Sequence, residues 1–222
     1  MTTSPLTAGG FAALANGAVA MTALHLTAGL DPLHGMISEY AFHPHGWLLG
    51  TSLTFFALGA AMLAVEMSRR GTGRATVALL GVWSTCMLMI AAFPTDRPGM
   101  SLSMSGGIHR YAAFTAFVSM PVAGLAVAAR GGRHAAALRG LSLAAAGFLI
   151  LVLVPYVVRM FGMDPGAVPA GLTQRLVVVT EVVVLVLIGL SAAVGRDGAR
   201  ARARVAARLD GAGPRVRPAA AA

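Results

Sequence analysis

Of 222 residues, 57% are hydrophobic and only 11% are charged, and 17 basic against 8 acidic residues give a formal net charge of +9. A soluble domain carries about 25% charged residues, so a single soluble core has no use for this much apolar side chain, whereas a bilayer does. The one cysteine, Cys86, lies in an apolar run, which excludes a disulfide framework or a cysteine-rich metal site within one chain.

All 17 basic residues are arginine, in short clusters between apolar runs. That pattern fits topology signals and anionic lipid, not the contiguous basic surface that nucleic acid needs. The first apolar run covers 11–30 and ends at Asp31-Pro32. No arginine precedes it, so it reads as a retained helix and not as a signal peptide. The second run, 46–67, is followed by Ser68-Arg69-Arg70-Gly71, and the third, 75–93, stops at Pro94. The fourth, 111–129, is followed by Arg130 and Arg133; the fifth and sixth cover 138–158 and 172–194. Each is long enough for one span of about 20 residues. The expected fold is an all-α integral membrane bundle of six transmembrane helices over 1–195. A basic cytoplasmic tail over 196–222 follows, with a short helix at 200–209 on the inner leaflet and the rest disordered.

Thirteen of the 17 arginines fall after runs two and four or in the tail; Arg97, Arg110, Arg159 and Arg175 fall on the other side. This asymmetry puts both ends in the cytoplasm. Tyr40, Trp47, Phe93, Tyr111, Tyr156 and Phe161 sit near the outer ends of the runs, as an interfacial belt does.

The outer connections carry chemistry that topology does not require. The first holds Asp31, His34, Ser38, Glu39, His43 and His45; the second holds Asp96, Arg97, His109 and Arg110. The third runs from Arg159 through Asp164-Pro165 to Gln174-Arg175, and His25 lies near the outer end of the first run. Taken singly, acids such as Asp31 and Asp96 read as turn formers and caps. As a layer they predict a polar site on the outer face, with Ser38, Glu39, Asp96, His109 and Arg175 as its ligand-binding residues. Arg175 suits a phosphate or carboxylate headgroup. An alternative is an intramembrane lipid hydrolase or transferase, with Asp96 and His109 as acid–base pair and Ser38 as the candidate nucleophile.

Glu181 lies inside the sixth run, about 9 Å below Arg175 at 1.5 Å per residue. An acid at that depth must be neutral, paired or facing water. Arg159 or His25 is the expected partner, or else a neighbouring hydroxyl bonded to the neutral acid. This supports a second alternative, a proton-coupled transporter, although runs one to three and four to six show no internal repeat. Glu66 with Arg69 and Arg70 reads as a helix-end ion pair. His43 and His45 around Pro44 give no specific metal spacing, so neither metal nor cofactor is expected. Gly46 and Gly50 form a GxxxG that allows close helix packing.

Four segments follow a recognisable order: Ile37-Ser38-Glu39-Tyr40, Phe93-Pro94-Thr95-Asp96, Gly107-Ile108-His109 and Gly171-Leu172-Thr173-Gln174-Arg175. In order and spacing they resemble the DUF998 family of bacterial multi-span membrane proteins, over about residues 10 to 195. That family is distantly similar to the Frag1/DRAM/Sfk1 group of six-span proteins, linked to lipid handling. The resemblance implies a lipid-related role without a defined reaction. Two positions depart from the pattern: Gln174 stands where an acid is expected, and Glu181 where an aromatic is. The resulting expectation is a multi-pass protein of the cell membrane of a high-GC bacterium. It binds membrane lipids or a small anionic ligand outside and anionic lipids through its tail inside, with no nucleic-acid partner and no assigned enzyme activity.

Overall fold

The computed structural model describes residues 4–71, 73–97, 99–163 and 169–211. Asp164-Pro165, Arg215 and Arg217 lie outside the described residues, as do the side chains of Arg159 and of the arginines from Arg196 to Arg208. Six α-helices follow in order: α1 Pro5–Thr27, α2 Trp47–Arg69, α3 Arg74–Ala92, α4 Met104–Ala128, α5 Ala135–Met160 and α6 Ala170–Gly211. Between α1 and α2 a short 3-10 helix, Ile37–Phe42, forms a cap. All six α-helices are long and apolar enough to cross a membrane.

Helix boundaries follow capping chemistry where they leave the apolar runs. The first helix starts at Pro5, six residues before the run, because Ser4 accepts a hydrogen bond from the Thr7 amide and proline suits the first helical turn. Helix α4 starts at Met104 and not near Tyr111, since Ser103 caps it by accepting from the Gly106 amide at 3.0 Å. This draws Gly107, Ile108 and His109 into a helix. Helix α6 continues to Gly211, so the helix expected at 200–209 is part of it; 42 residues make about 63 Å at 1.5 Å per residue.

Each helix packs on its successor, and α6 returns to touch α4, α1 and α2. Side chains such as Leu24, Leu63, Leu80, Met120, Leu185 and Ile188 are fully buried in the bundle. Val19, Leu58, Val82, Leu143, Ile150 and Val179 are exposed on the outside of the helices. Helices apolar on both faces need lipid against the outer one. The Gly46–Gly50 pair is not a helix-packing motif: Gly46 precedes α2, and a Cβ there would meet the Tyr40 and Ala41 carbonyls at 2.5 and 2.8 Å. It makes room for the cap. The α1–α2 contact instead uses Gly59, where a Cβ would meet Leu14 at 2.6 Å and the Gly10 carbonyl at 3.0 Å.

On the other end of the bundle, Arg70 pairs with Glu66 and donates to the Ala192 carbonyl, with Thr7 Oγ1 at 3.4 Å. It ties the end of α2 to α6 and to the start of α1.

Candidate functional site

Four helices turn one stripe each toward a shared interior space below the cap. On α2 the stripe is Leu49, Leu53 and Phe56; on α3 it is Trp83, Met87 and Ile90; on α4 it is His109, Ala113 and Phe117; on α6 it is Gln174, Val178, Glu181 and Val182. These steps of three and four are the single-face spacings of an α-helix. Ile37 and Ser38 of the cap and Met21 of α1 complete the wall of a cavity of about 50 Å³. At roughly 10–15 Å³ for each water centre, it has room for a few waters.

Polar groups enter this apolar wall at two levels. Ser38, His109 and Gln174 stand at the cap end. His109 is 6% exposed, and its Nδ1 lies 2.9 Å from the Phe93 carbonyl. A carbonyl only accepts, so Nδ1 carries the hydrogen and Nε2 of the neutral ring keeps its lone pair. Gln174 Oε1 accepts from the Ile37 amide at 2.7 Å and so fastens the cap to α6. A carboxylate would accept that bond equally well, which accounts for an amide where an acid was expected.

The second level is deeper. Glu181 sits midway along the 170–192 span of α6, and Trp83 midway along α3. The Trp83 indole donates to Glu181 Oε2 at 3.1 Å. The acid is 1% exposed, and its Oε1 is buried with no hydrogen-bond partner among the described residues. The expected partners are otherwise placed. His25 bonds to the Met21 carbonyl and to Arg175, and the Arg159 side chain lies outside the described residues.

Arg175 is a clasp. Its Nη1 donates to the carbonyls of Pro32, Gly35 and Gly171 at 3.0, 2.7 and 2.9 Å, its Nε to His25 Nε2 at 3.1 Å, and its Nη2 to the Tyr40 hydroxyl at 3.1 Å. The guanidinium also lies 5.6 Å from the centre of the Tyr40 ring. Tyr40 is 1% exposed and packs on His25, so it belongs to the clasp and not to an interfacial belt. Trp47, Phe93, Tyr111, Tyr156 and Phe161 are exposed as a belt requires. With all but one of its N–H donors committed to the protein, Arg175 presents little to an anion.

The other expected residues stand outside the cavity. Asp96 is half-buried at the surface and caps α4: it accepts from the Ser103 amide at 3.2 Å, and a Cβ on Gly106 would collide with its carboxyl. The Ser103 hydrogen bond holds the Asp96 carboxyl below its ordinary value. Asp96 makes no hydrogen bond to His109, whose Nδ1 is taken by Phe93. Asp31 bonds His34 at 2.7 Å in the exposed first connection, and that bond, with the Leu33 amide, lowers its pKa. Glu39 is half-buried in the cap and does not line the cavity. Among the described residues, no three of His, Cys, Asp and Glu converge as metal ligands.

The structure thus brings Ser38 and His109 together with Gln174, Trp83 and Glu181, and leaves Glu39, Asp96 and Arg175 outside. Trp83 is the residue that sequence reasoning missed. Its signal was an indole at the middle of one apolar run, complementary to an acid at the middle of another. No curated protein and no solved structure matches the chain. A family model described as "Protein of unknown function (DUF998)" matches residues 9–191, and the chain belongs to that family of membrane proteins.

Proposed function

We propose that this protein binds a small hydrogen-bonding ligand inside the membrane, in the cavity beneath the cap, with the cap controlling access. One observation carries the reading: Ser38, His109, Gln174, Trp83 and Glu181, from four segments of chain, converge on one cavity whose other walls are apolar. Binding pockets have this composition, an apolar wall with a few placed polar groups. The volume of about 50 Å³ suits a ligand, or the tip of a lipid headgroup, of a few heavy atoms. The arginine distribution supports placing the cap at the outer face of a cell membrane, with the arginine-rich tail from Arg196 onward toward anionic inner-leaflet lipid. The arginine- and alanine-rich composition supports a high-GC bacterial source.

A panel of small probes on the purified protein tests the reading: methylammonium, methanol and acetate, at matched ionic strength. At least one raises the melting temperature saturably, and Ala113→Leu, which fills the cavity, removes the shift. Three flat responses, or a shift that Ala113→Leu leaves intact, overturn it. The position of Glu181 midway along α6 favours a second reading, a carrier in which that acid takes part in transport.

A further inference from the structure

We propose that the ligand of this cavity is a small primary ammonium cation, with the Glu181 carboxylate as its counter-charge. This rests on the cavity reading above and adds the sign and chemistry of the ligand.

The cavity offers acceptors at both levels, Glu181 at the deep one and His109 at the cap end. Glu181 Oε1 is buried and unpartnered among the described residues, while Oε2 is fixed by Trp83. His109 Nε2 has a lone pair because Nδ1 is the donor to Phe93. An ionised carboxylate in an apolar interior must gain a proton or a cation. No arginine lines the cavity, so the protein supplies no such cation from the described residues. An ammonium group meets this need with several N–H donors.

The walls suit the same ligand. Trp83, Phe56 and Phe117 line the space, and aromatic faces attract desolvated cations. A bare alkali or alkaline-earth ion needs about six oxygen ligands, and the lining offers too few. The volume of about 50 Å³ is roughly a third of a cavity that takes benzene, which limits the ligand to ammonium, methylammonium or a similar headgroup. Charge balances in either state. A protonated Glu181 that accepts an ammonium releases one proton to solvent, and an ionised one forms the ion pair directly. Protons and the ammonium therefore compete for one carboxylate.

The test uses the full chain in lipid nanodiscs, with Trp47→Phe so that emission reports Trp83 alone. Methylammonium chloride is titrated against sodium chloride, sodium acetate and methanol controls. The expected result is a saturable change in Trp83 emission with methylammonium only, and an apparent affinity that weakens as pH falls. Glu181→Gln keeps an acceptor for the Trp83 indole and weakens methylammonium binding at least tenfold. Should that variant fail to fold, the pH competition in the unsubstituted acid decides. Equal binding by Glu181→Gln, affinity independent of pH, or a response to acetate or methanol alone overturns the cation assignment. In the acetate or methanol case the cavity reading stands, whereas silence from every probe removes both.

Discussion

Arg175→Ala is the most direct perturbation of the cap. The side chain makes five hydrogen bonds, to His25, Pro32, Gly35, Gly171 and Tyr40, and four of them are part-buried. Bonds to charged groups contribute about 1.5–3 kcal/mol each in dry sites, but water replaces the exposed Pro32 contact and part of the others. Counting about 1 kcal/mol for each of three desolvated acceptors left unpaired gives a loss of about 3 kcal/mol. For a chain of this size that corresponds to a fall in melting temperature of roughly 6–12 °C. Arg175→Lys keeps the charge but has one nitrogen in place of a fork, and should restore less than half of the loss. Gly171→Ala is the complementary change: a methyl there meets the Gly35 carbonyl and crowds Arg175 Nη1 at 3.0 Å, which lifts the first connection while the charge itself is kept. Thermal unfolding in detergent gives the energetic readout, and amide hydrogen exchange locates it. Faster exchange should be confined to the connection between α1 and α2. An Arg175→Ala protein with unchanged melting temperature and unchanged exchange there, or an Arg175→Lys protein equal to the parent, refutes the clasp.

Two further predictions concern pH and orientation. The Asp31 and Asp96 carboxyls are both held below their ordinary value of 3.8, by hydrogen bonds from His34 and Ser103 respectively. A depressed folded value means stability that is present above the unfolded value and lost as pH falls through the folded one. Thermal stability should therefore decline below about pH 4, modestly because both carboxyls lie at the protein surface, and Asp31→Asn with Asp96→Asn should flatten that part of the profile. An unchanged acid slope in the double variant would show that neither bond contributes. Reporter fusions after Gly73 and Gly195 should read cytoplasmic and one after Gly99 external; a cytoplasmic signal at Gly99 reverses the orientation of the cap.

The six spans were legible because each apolar run matches the length of a bilayer crossing, and no other use exists for so much aliphatic side chain. The starts of α1 and α4 were not, because Ser4 and Ser103 lie outside the apolar windows and act through single hydroxyl–amide bonds. That error mattered at α4, where His109 reads as a loop residue until Ser103 starts the helix ahead of it. Ser38 and His109 were readable as a pair of polar residues at one depth, and they do line one cavity. The role of Arg175 was not readable. Its acceptors at Pro32, Gly35 and Gly171 are backbone carbonyls, which a sequence does not distinguish from any others. Guanidinium chemistry alone suggested an anion, and the fold answers with its own main chain.

Glu181 is hard to explain as a contribution to folding. Burying a carboxyl without a charged partner costs several kcal/mol, and the single bond from Trp83 returns about 1–2 kcal/mol of that. Around it on α6, Val177, Val184, Leu185 and Ile188 fill the interior with aliphatic side chains at 0% exposure. Another such residue at position 181 would leave only one indole hydrogen unpaired. The nearest cation along the helix is Arg175, six residues toward the cap. At 100° per residue Arg175 is turned about 120° away from Glu181 and stands about 9 Å above it. There it is held by five acceptors from α1, the connection that leads into the cap, the cap itself and α6, and makes no ion pair among the described residues. The fold keeps its interior cation and its interior acid apart, each with a different set of neighbours. On the function proposed above, that separation leaves the Glu181 carboxyl to a ligand in the cavity beneath the cap, and Arg175 and Gln174 are the side chains that hold the cap over it.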